Sequence, residues 1–599
     1  MEHKDNYWLR SRTGRRRFLY GGGVAAVGSA AILAGCGDDD DEDSGSSPTS
    51  AATTAASGGN TATASATAAA TTAAAAAGVK GGTLRLSKSE KDDGLDPAGR
   101  VVNQDWIQSK TYSWTHVYRT SDGKVLLDAA EKIETPDALT MIVTLNKGIN
   151  FHDNVANGRE MTADDLKFSI DRIPAIRKEK GGNSPEIVFD WIQSVEVVDK
   201  YTARIKQRIP FASRFIALGS RNPFAIVGKE VVEKEGGVID NVTAGSGPYL
   251  LTKRDATGIT LERNPKYFKR SAPNDGFPAE VFIDKIEERI IVDAAATKAA
   301  FLDGQTDFLN QGSVPVDRLS FPEYQKDSKF VAEKIKSFGQ LLLFQDMLAL
   351  TDPRVRQAIA MAINYDEFIA TLFAGEGRYQ GHVSGGFGPL ALDPKEAKEL
   401  HPFNPAEAKK LWEAAGKPFN NTIRMITPTV LKLLADSTDF IKGQLQKNLG
   451  VTVDVNASDI GTFVQGATKV GRKDWEIFVS FFPQVQFLPE YNALAGVMPT
   501  AFGSNTSNWK LDHPHPETKA AAEQAVKLYD AQAAALDPKE REQKMHELER
   551  FIMKGYWGGI SLPVAENDFV IYNKRVQNVP FKDANLGLVA RYQSLWLKA

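Results

Sequence analysis

Cysteine is almost absent. Cys36 is the one cysteine in 599 residues, so no disulfide can form within the chain and a disulfide-stapled scaffold is excluded. Histidine is scarce too, with 8 in all and only His513-Pro514-His515 close together. A metal site needs converging donors, so neither metal nor cofactor is expected, and that Pro-flanked pair reads as a solvated loop. No excess of positive charge exists: the formal net charge is −3 and no basic stripe with interleaved aromatics appears, which argues against a nucleic-acid partner. Also missing are a His-Glu-x-x-His helix, a Gly-x-Ser-x-Gly elbow and a Gly-x4-Gly-Lys-Ser/Thr loop, which hold zinc, a serine nucleophile or nucleotide phosphates. Gly245-Ser246-Gly247-Pro248-Tyr249 has no His or acid assignable to it and reads as a turn. A cell-surface hydrolase would demand paired carboxylates or a nucleophile and base, and no such constellation is recognisable, so an enzyme is not expected.

Long apolar runs are lacking as well. Gly21 to Ala34 is shorter than the ~20 residues of a membrane span, but it follows Arg15-Arg16-Arg17-Phe18-Leu19 and ends at Leu33-Ala34-Gly35-Cys36. That order is an export signal. Arg15 and Arg16 resemble the twin-arginine pair, with Gly14 where Ser or Thr usually stands. Leu33 to Cys36 resembles a lipobox, which makes Cys36 the acylated first residue of the exported protein; each buried methylene then adds ~0.8 kcal/mol to membrane binding. Residues 37–79 are almost wholly Ala, Thr, Ser and Gly after the acidic cluster Asp38 to Asp43. Such a segment lacks the apolar side chains to offset ordering entropy and reads as a tether. As a flexible coil of about 40 residues it would span roughly 30–40 Å.

From Val79 onward the composition is ordinary, and about 520 residues exceed what one core usually serves. Strands are expected at Thr83 to Ser87, Thr140 to Leu145, in a hairpin from Ser194 to Gln207, and in another from Tyr249 to Arg263 turning at Ala256-Thr257-Gly258. Thr162 to Asp165 reads as a capping box opening a helix from Ala163 to Arg172, and Ala294 to Leu302 as a helix closed at Gly304. Asp352-Pro353 opens a helix whose apolar face carries Val355, Ile359, Ala362, Ile363 and Phe368. Further helices are expected over Pro405 to Ala415, Thr429 to Leu449 and Pro516 to Lys554.

Six segments, taken in order, resemble the extracellular solute-binding proteins of the dipeptide, oligopeptide and nickel importers, family 5. They are Gly81 to Arg85 with Leu95-Asp96-Pro97; Ile142 to Asp165 with Phe151-His152-Asp153; Gly245 to Tyr249; Glu262 to Tyr267; Asp352 to Ala358; and Asn404 to Ala408. The resemblance implies an α/β, two-lobed periplasmic-binding-protein-like (Venus-flytrap) fold with an additional third domain. Lobe I would comprise 80–120 with 244–337 and 561–599, the additional domain 121–243, and lobe II 338–560. Hinges would lie near Phe338 to Phe344 and Ile560 to Val564. It also implies a monomer outside the membrane that passes a peptide or other small organic solute to the transmembrane subunits of an ABC permease.

By the same resemblance, ligand contacts fall on the loop holding Val101, Asn103, Gln104 and Trp106, and on Asp474 through Leu488. The second stretch includes Trp475, Ser480, Phe481, Phe482 and Gln484. Trp509 is a further ring able to stack on a ligand. Where peptide-binding members carry an Asp for the ligand's α-ammonium group, this chain has Ser480. Losing a charge-assisted bond costs ~1.5–3 kcal/mol, so a hydroxyl, two rings and an amide suit a neutral or partly apolar ligand. Asp105, Asp474 or Glu490 would be the substitute carboxylates. An oligosaccharide remains an alternative ligand, and a sensory receptor an alternative partner.

Overall fold

The computed structural model describes residues 78–88, 94–98, 105–119, 124–180, 187–219, 223–268, 280–309, 318, 320–429, 432–468, 471, 473–482, 488–489, 498, 506–579 and 592–598. The signal, Cys36 and the tether up to residue 77 thus lie outside the described residues.

A strand that alternates in burial has one face on a core, and Thr140–Leu145 does so residue by residue, with Met141, Val143 and Leu145 inside. Along the chain, β1 (Thr83–Lys88) and helix α1 (Asp105–Thr111) precede two hairpins, β2–β3 (Ala130–Asp137, Thr140–Leu145) and β4–β5 (Ile192–Val197, Thr202–Gln207). A third hairpin, β6–β7 (Tyr249–Asp255, Gly258–Arg263), is followed by β8 (Lys285–Ile290). They form two sheets, β1-β8-β7-β6 and β2-β3-β5-β4. All neighbours are antiparallel except the parallel pair β1 and β8.

Both sheets feed one apolar core, from Leu84 and Leu86 through Val143 and Ile205 to Leu261 and Ile286. Val576, Tyr592, Leu595 and Leu597 pack into it too, and Arg575 donates to Thr83 O at 2.9 Å. The capping box is present: Asp165 accepts from Thr162 N–H at 2.9 Å where helix α2 (Ala163–Asp171) begins. The Gly-Ser-Gly segment is a backbone contact. A Cβ at Gly245 would meet Thr111 O at 2.0 Å, and one at Gly247 would meet Thr111 C at 2.4 Å, so neither position has room for a side chain.

The second half carries β9 (Phe330–Lys336), β10 (Gln340–Gln345), β11 (Thr422–Pro428), β12 (Thr452–Ser458), β13 (Ile477–Phe482), β14 (Gly559–Leu562) and β15 (Asn567–Asn573). β9 and β15 make an antiparallel ribbon, and β15 contributes Val570 and Tyr572 to the first core. The others form the sheet β12-β11-β13-β10-β14 of a second body, whose apolar clusters surround Leu341, Leu343 and Ile477 on one side and Leu342, Phe344 and Phe478 on the other. Every residue of β10 and β14 is buried.

The expected hinges therefore move outward. β10 and β14 are the sheet-bound strands of the second body, held on both edges or against each other. The chain passes between the bodies just before Phe338 and just after Ala565, which still pack in the second body's clusters.

Two helix expectations also change. The apolar face from Val355 to Phe368 belongs to two helices, α3 (Pro353–Met361) and α4 (Tyr365–Phe373), because Asn364 accepts from Glu367 N–H at 3.1 Å and caps a new start. The stretch from Pro516 to Lys554 likewise divides into α5 (Pro516–Ala534) and α6 (Pro538–Gly555). There Asp537 accepts from Glu540 N–H at 2.9 Å, and Pro538 has no N–H to continue a preceding turn. The Asp352-Pro353-Arg354-Val355-Arg356 motif has a physical reading. Asp352 caps α3 through Arg354 N–H at 2.9 Å. Arg356, fully buried, donates to the carbonyls of Leu350, Thr351 and Gly555 and stands 4.3 Å over the Trp557 ring. Burial lowers its pKa to about 10.

Candidate functional site

The strand directions place the site. β11 runs parallel to β12 and β13, while β10 is antiparallel to β13 and to β14, with Gln340 opposite Phe482 and Leu341 opposite Leu562. The carboxyl ends of β11, β12, β13 and β14, at Pro428, Ser458, Phe482 and Leu562, thus share one edge with the start of β10. Both crossings to the first body leave from that edge. Ligands of open α/β sheets bind beyond the carboxyl ends of the strands. Leu488, six residues past β13, is buried at 2 % exposure among the residues of the first core.

The expected contact residues separate on this frame. Ser480 is partly buried near the carboxyl end of β13 and pairs with Leu342; Phe481 and Phe482 complete that strand. Trp106 is in the first turn of α1. Val101, Asn103, Gln104, Gln484 and Glu490 lie outside the described residues.

Trp475 and Trp509 lie elsewhere on the sheet. Trp475 precedes the start of β13, and Trp509 follows Ser507, whose carbonyl accepts from Met347 N–H just beyond β10. Both therefore stand at the opposite edge, a strand length of about 20 Å away. Trp475 packs edge-on against Phe478 and donates to Gly466 O at 3.0 Å. Trp509 stacks on Trp557 and donates to Thr518 O at 3.1 Å. Core packing accounts for both. Asp474, exposed, shares Trp475's edge. His513 is not in a solvated loop either: it is buried, and its ring meets Met347 O at 3.1 Å. Among the described residues no three His, Cys, Asp or Glu gather as a metal site, and no helix is long and apolar enough to cross a membrane.

Sequence reasoning missed the group that organises the crossings. Arg378, 5 % exposed, donates to Ser337 O at 2.6 Å and to Glu566 O at 2.9 Å, one carbonyl on each connector. Ser337 N–H bonds Glu566 O directly, and the two-residue strand Gly377–Arg378 pairs with Val564–Ala565. A lone arginine in a Gly-rich stretch carries no periodic signal, so only the fold reveals it.

The segment from Gly381 to Leu392 is held by Glu549 of α6. Its carboxyl group, fully buried, accepts from Val383 N–H at 2.6 Å and Leu392 N–H at 3.2 Å. Burial raises its pKa from the ordinary 4.5 to about 8, against those backbone donors. A carboxyl group that keeps its proton in the folded state while the unfolded one ionises costs stability as pH rises from 4.5 toward 8. The stability of the protein relative to Glu549→Gln is expected to fall by about 1.4 kcal/mol per pH unit across that window, as measured by denaturant unfolding at pH 5, 6.5 and 8. A gap independent of pH would refute the assignment. The comparison with the variant is needed because buried His116, His152 and His382 have pKa values lowered to about 4 by burial. They act in the opposite sense, losing stability as pH falls below 6.5.

Two bodies joined by a double crossing, with Leu488 packed in the first core six residues past a strand of the second, define a two-lobed periplasmic-binding-protein fold. Residues 124–492 match the model of the bacterial extracellular solute-binding proteins, family 5 Middle, and the chain belongs to that extracytoplasmic family. It is 26% identical over 330 residues to the glutathione-binding protein GsiB of Pectobacterium atrosepticum, a match covering 54% of this chain and 59% of that protein. The match thus spans about three fifths of that curated relative. Among solved structures, the oligopeptide-binding protein AppA of Bacillus subtilis, in complex with a nonapeptide, superposes with a TM-score of 0.67 at 19% identity, covering 87% of this chain and 100% of that one. AgaA from A. tumefacien R10, in complex with agropinic acid, gives 0.68 at 18% identity, covering 86% and 99%.

Proposed function

We propose that this chain is the solute-binding component of an ABC importer, capturing a peptide or similar small organic solute between its lobes and delivering it to the permease's transmembrane subunits, with no chemistry of its own. The observation that carries the reading is the shared edge: the carboxyl ends of β11 and β13 and both crossings face the first body, and Leu488 packs in its core. Closure over ligand would be a hinge motion, driven only by contacts better made in the closed form. The lobe scheme of 80–120 with 244–337 and 561–599, 121–243, and 338–560 is part of the proposal, except that Ser561 and Leu562 go with β14 in the second body. So are twin-arginine export through Arg15 and Arg16, anchoring by acylated Cys36, and a monomeric state.

Ligand contacts are proposed at Val101, Asn103, Gln104, Trp106, Ser480, Phe481, Phe482 and Gln484. Small peptides are favoured by the glutathione-binding and oligopeptide-binding relatives. Agropinic acid in a neighbour of equal similarity supports a second reading, a non-peptide solute, and Ser480 in place of an acidic residue points the same way.

Mass spectrometry of molecules released by mild denaturation from the purified protein is the test. Short peptides are expected, and their affinity should rise in Ser480→Asp. A sugar or other neutral solute alone would overturn the peptide reading, and an empty protein that binds no solute from a peptide and metabolite panel would overturn the capture reading.

A further inference from the structure

The two bodies also meet away from the connectors. Phe211 packs in the first core, and the next residue, Ala212, donates its N–H at 2.8 Å to the carbonyl of Ala533, near the end of α5 in the second body. Beside it Ser213, fully buried, accepts at 2.6 Å from Nη2 of Arg541, in the first turns of α6. The surroundings of these two bonds are poorly satisfied. Nε and Nη1 of Arg214, both polar atoms of the Gln532 side chain and Nε of Arg541 are buried with no hydrogen-bond partner among the described residues. Each belongs to a bonded residue or to its neighbour in sequence. Arg214 is 8 % exposed and Gln532 fully buried, and burial lowers the pKa of Arg214. A polar atom sealed without a partner is worse placed than the same atom in water, and permanent cores rarely hold one. Their gathering at one contact between bodies marks a surface that water reaches when the bodies part.

We propose that Ala212 to Arg214 and the elbow between α5 and α6 form a clasp that is made in the closed form and parts when the lobes open, its unpartnered groups opposing closure until cargo is bound. The proposal rests on the hinge closure of the function proposed above. The two bonds across the clasp favour the closed form, whereas Arg214, Gln532 and Nε of Arg541 favour the open one, where they are hydrated. Neither state then dominates by itself, and cargo shifts the balance through its own contacts. Apparent affinity scales with the fraction of the competent form, so the clasp sets how tightly cargo is held without touching it.

The test is amide hydrogen exchange of the full chain, emptied of small molecules and read residue by residue by mass spectrometry. The Ala212 N–H, held by a carbonyl of the other body, reports the clasp; Ile205 in β5 and Leu548 in α6, buried in the two bodies, report whether each variant is folded. Arg541→Met, which removes the bond to Ser213, should speed exchange at Ala212 at least tenfold. Gln532→Leu, which removes two unpartnered atoms, should slow it at least threefold. Ile205 and Leu548 should keep their wild-type rates in both. The proposal is overturned if Ala212 exchanges as slowly as those two amides in the wild type, or if Arg541→Met leaves its rate within threefold. It is equally overturned if Gln532→Leu fails to slow it. No solute enters the measurement, so a protein that captures nothing would leave a positive result standing, and a static clasp would leave capture standing.

Discussion

Leu488→Ala is expected to release cargo about 10–50-fold faster while leaving both lobes folded. Leu488 follows β13 of the second body by six residues and is buried at 2 % exposure in the core of the first, so its burial is expected to depend on the lobes staying together. A leucine side chain moved from water into a core contributes roughly 2 kcal/mol, and truncation to Ala removes most of that. Since 1.4 kcal/mol is a factor of ten in an equilibrium constant, the closed form should lose roughly a factor of ten to a few tens. The change should fall on the dissociation rate, because a contact made after encounter leaves association nearly untouched. Cargo release followed by rapid dilution measures it, and small-angle scattering of the emptied protein should show a larger radius for the variant. A release rate equal to the wild type's would mean that Leu488 stays buried in both forms and contributes nothing to closure.

Arg378→Met should cost about 3 kcal/mol and loosen the coupling of the two lobes. Its guanidinium satisfies one carbonyl on each connector, at 2.6 and 2.9 Å, and hydrogen bonds to a charged partner contribute about 1.5–3 kcal/mol each. Methionine fills the stem's volume but leaves Ser337 O without that donor. The expected readout is urea unfolding by intrinsic fluorescence and by circular dichroism. The wild type should give one transition, and the variant two separated midpoints as the second body unfolds without the first. One transition at an unchanged midpoint would show that the connectors are held by their own strand pairing, through Ser337 N–H to Glu566 O and Gly377–Arg378 to Val564–Ala565.

The contrast between Arg378 and Asp352 shows what a sequence displays and what it hides. Asp352-Pro353, Thr162 to Asp165 and the turn at Ala256-Thr257 act within a few residues of themselves, so their chemistry could be read locally and the structure has each in place. The same locality misled at Ala362 to Asn364, where apolar spacing continued across a break made by one Asn side chain. Trp475 and Ser480 sit five residues apart in sequence, yet the strand between them sets them at opposite edges of a sheet. Nothing in their spacing distinguishes this from a shared pocket. Arg378, Glu549 and Leu488 act on partners from tens to hundreds of residues away, and only the fold brings those partners together.

Both described ends of the chain belong to one body. β1 shares the first core with Val576, Tyr592, Leu595 and Leu597, and Arg575 is bonded to β1 through Thr83 O. Labels placed at β1 and near Leu597 would ride on the same frame, and such a pair would be blind to an opening of the cleft. A spectroscopic ruler that reads closure must carry one dye on the second body, on exposed faces such as α5 or the helix Lys432–Leu449. For the same reason a surface that immobilises the protein by its N-terminus leaves the second lobe free to swing.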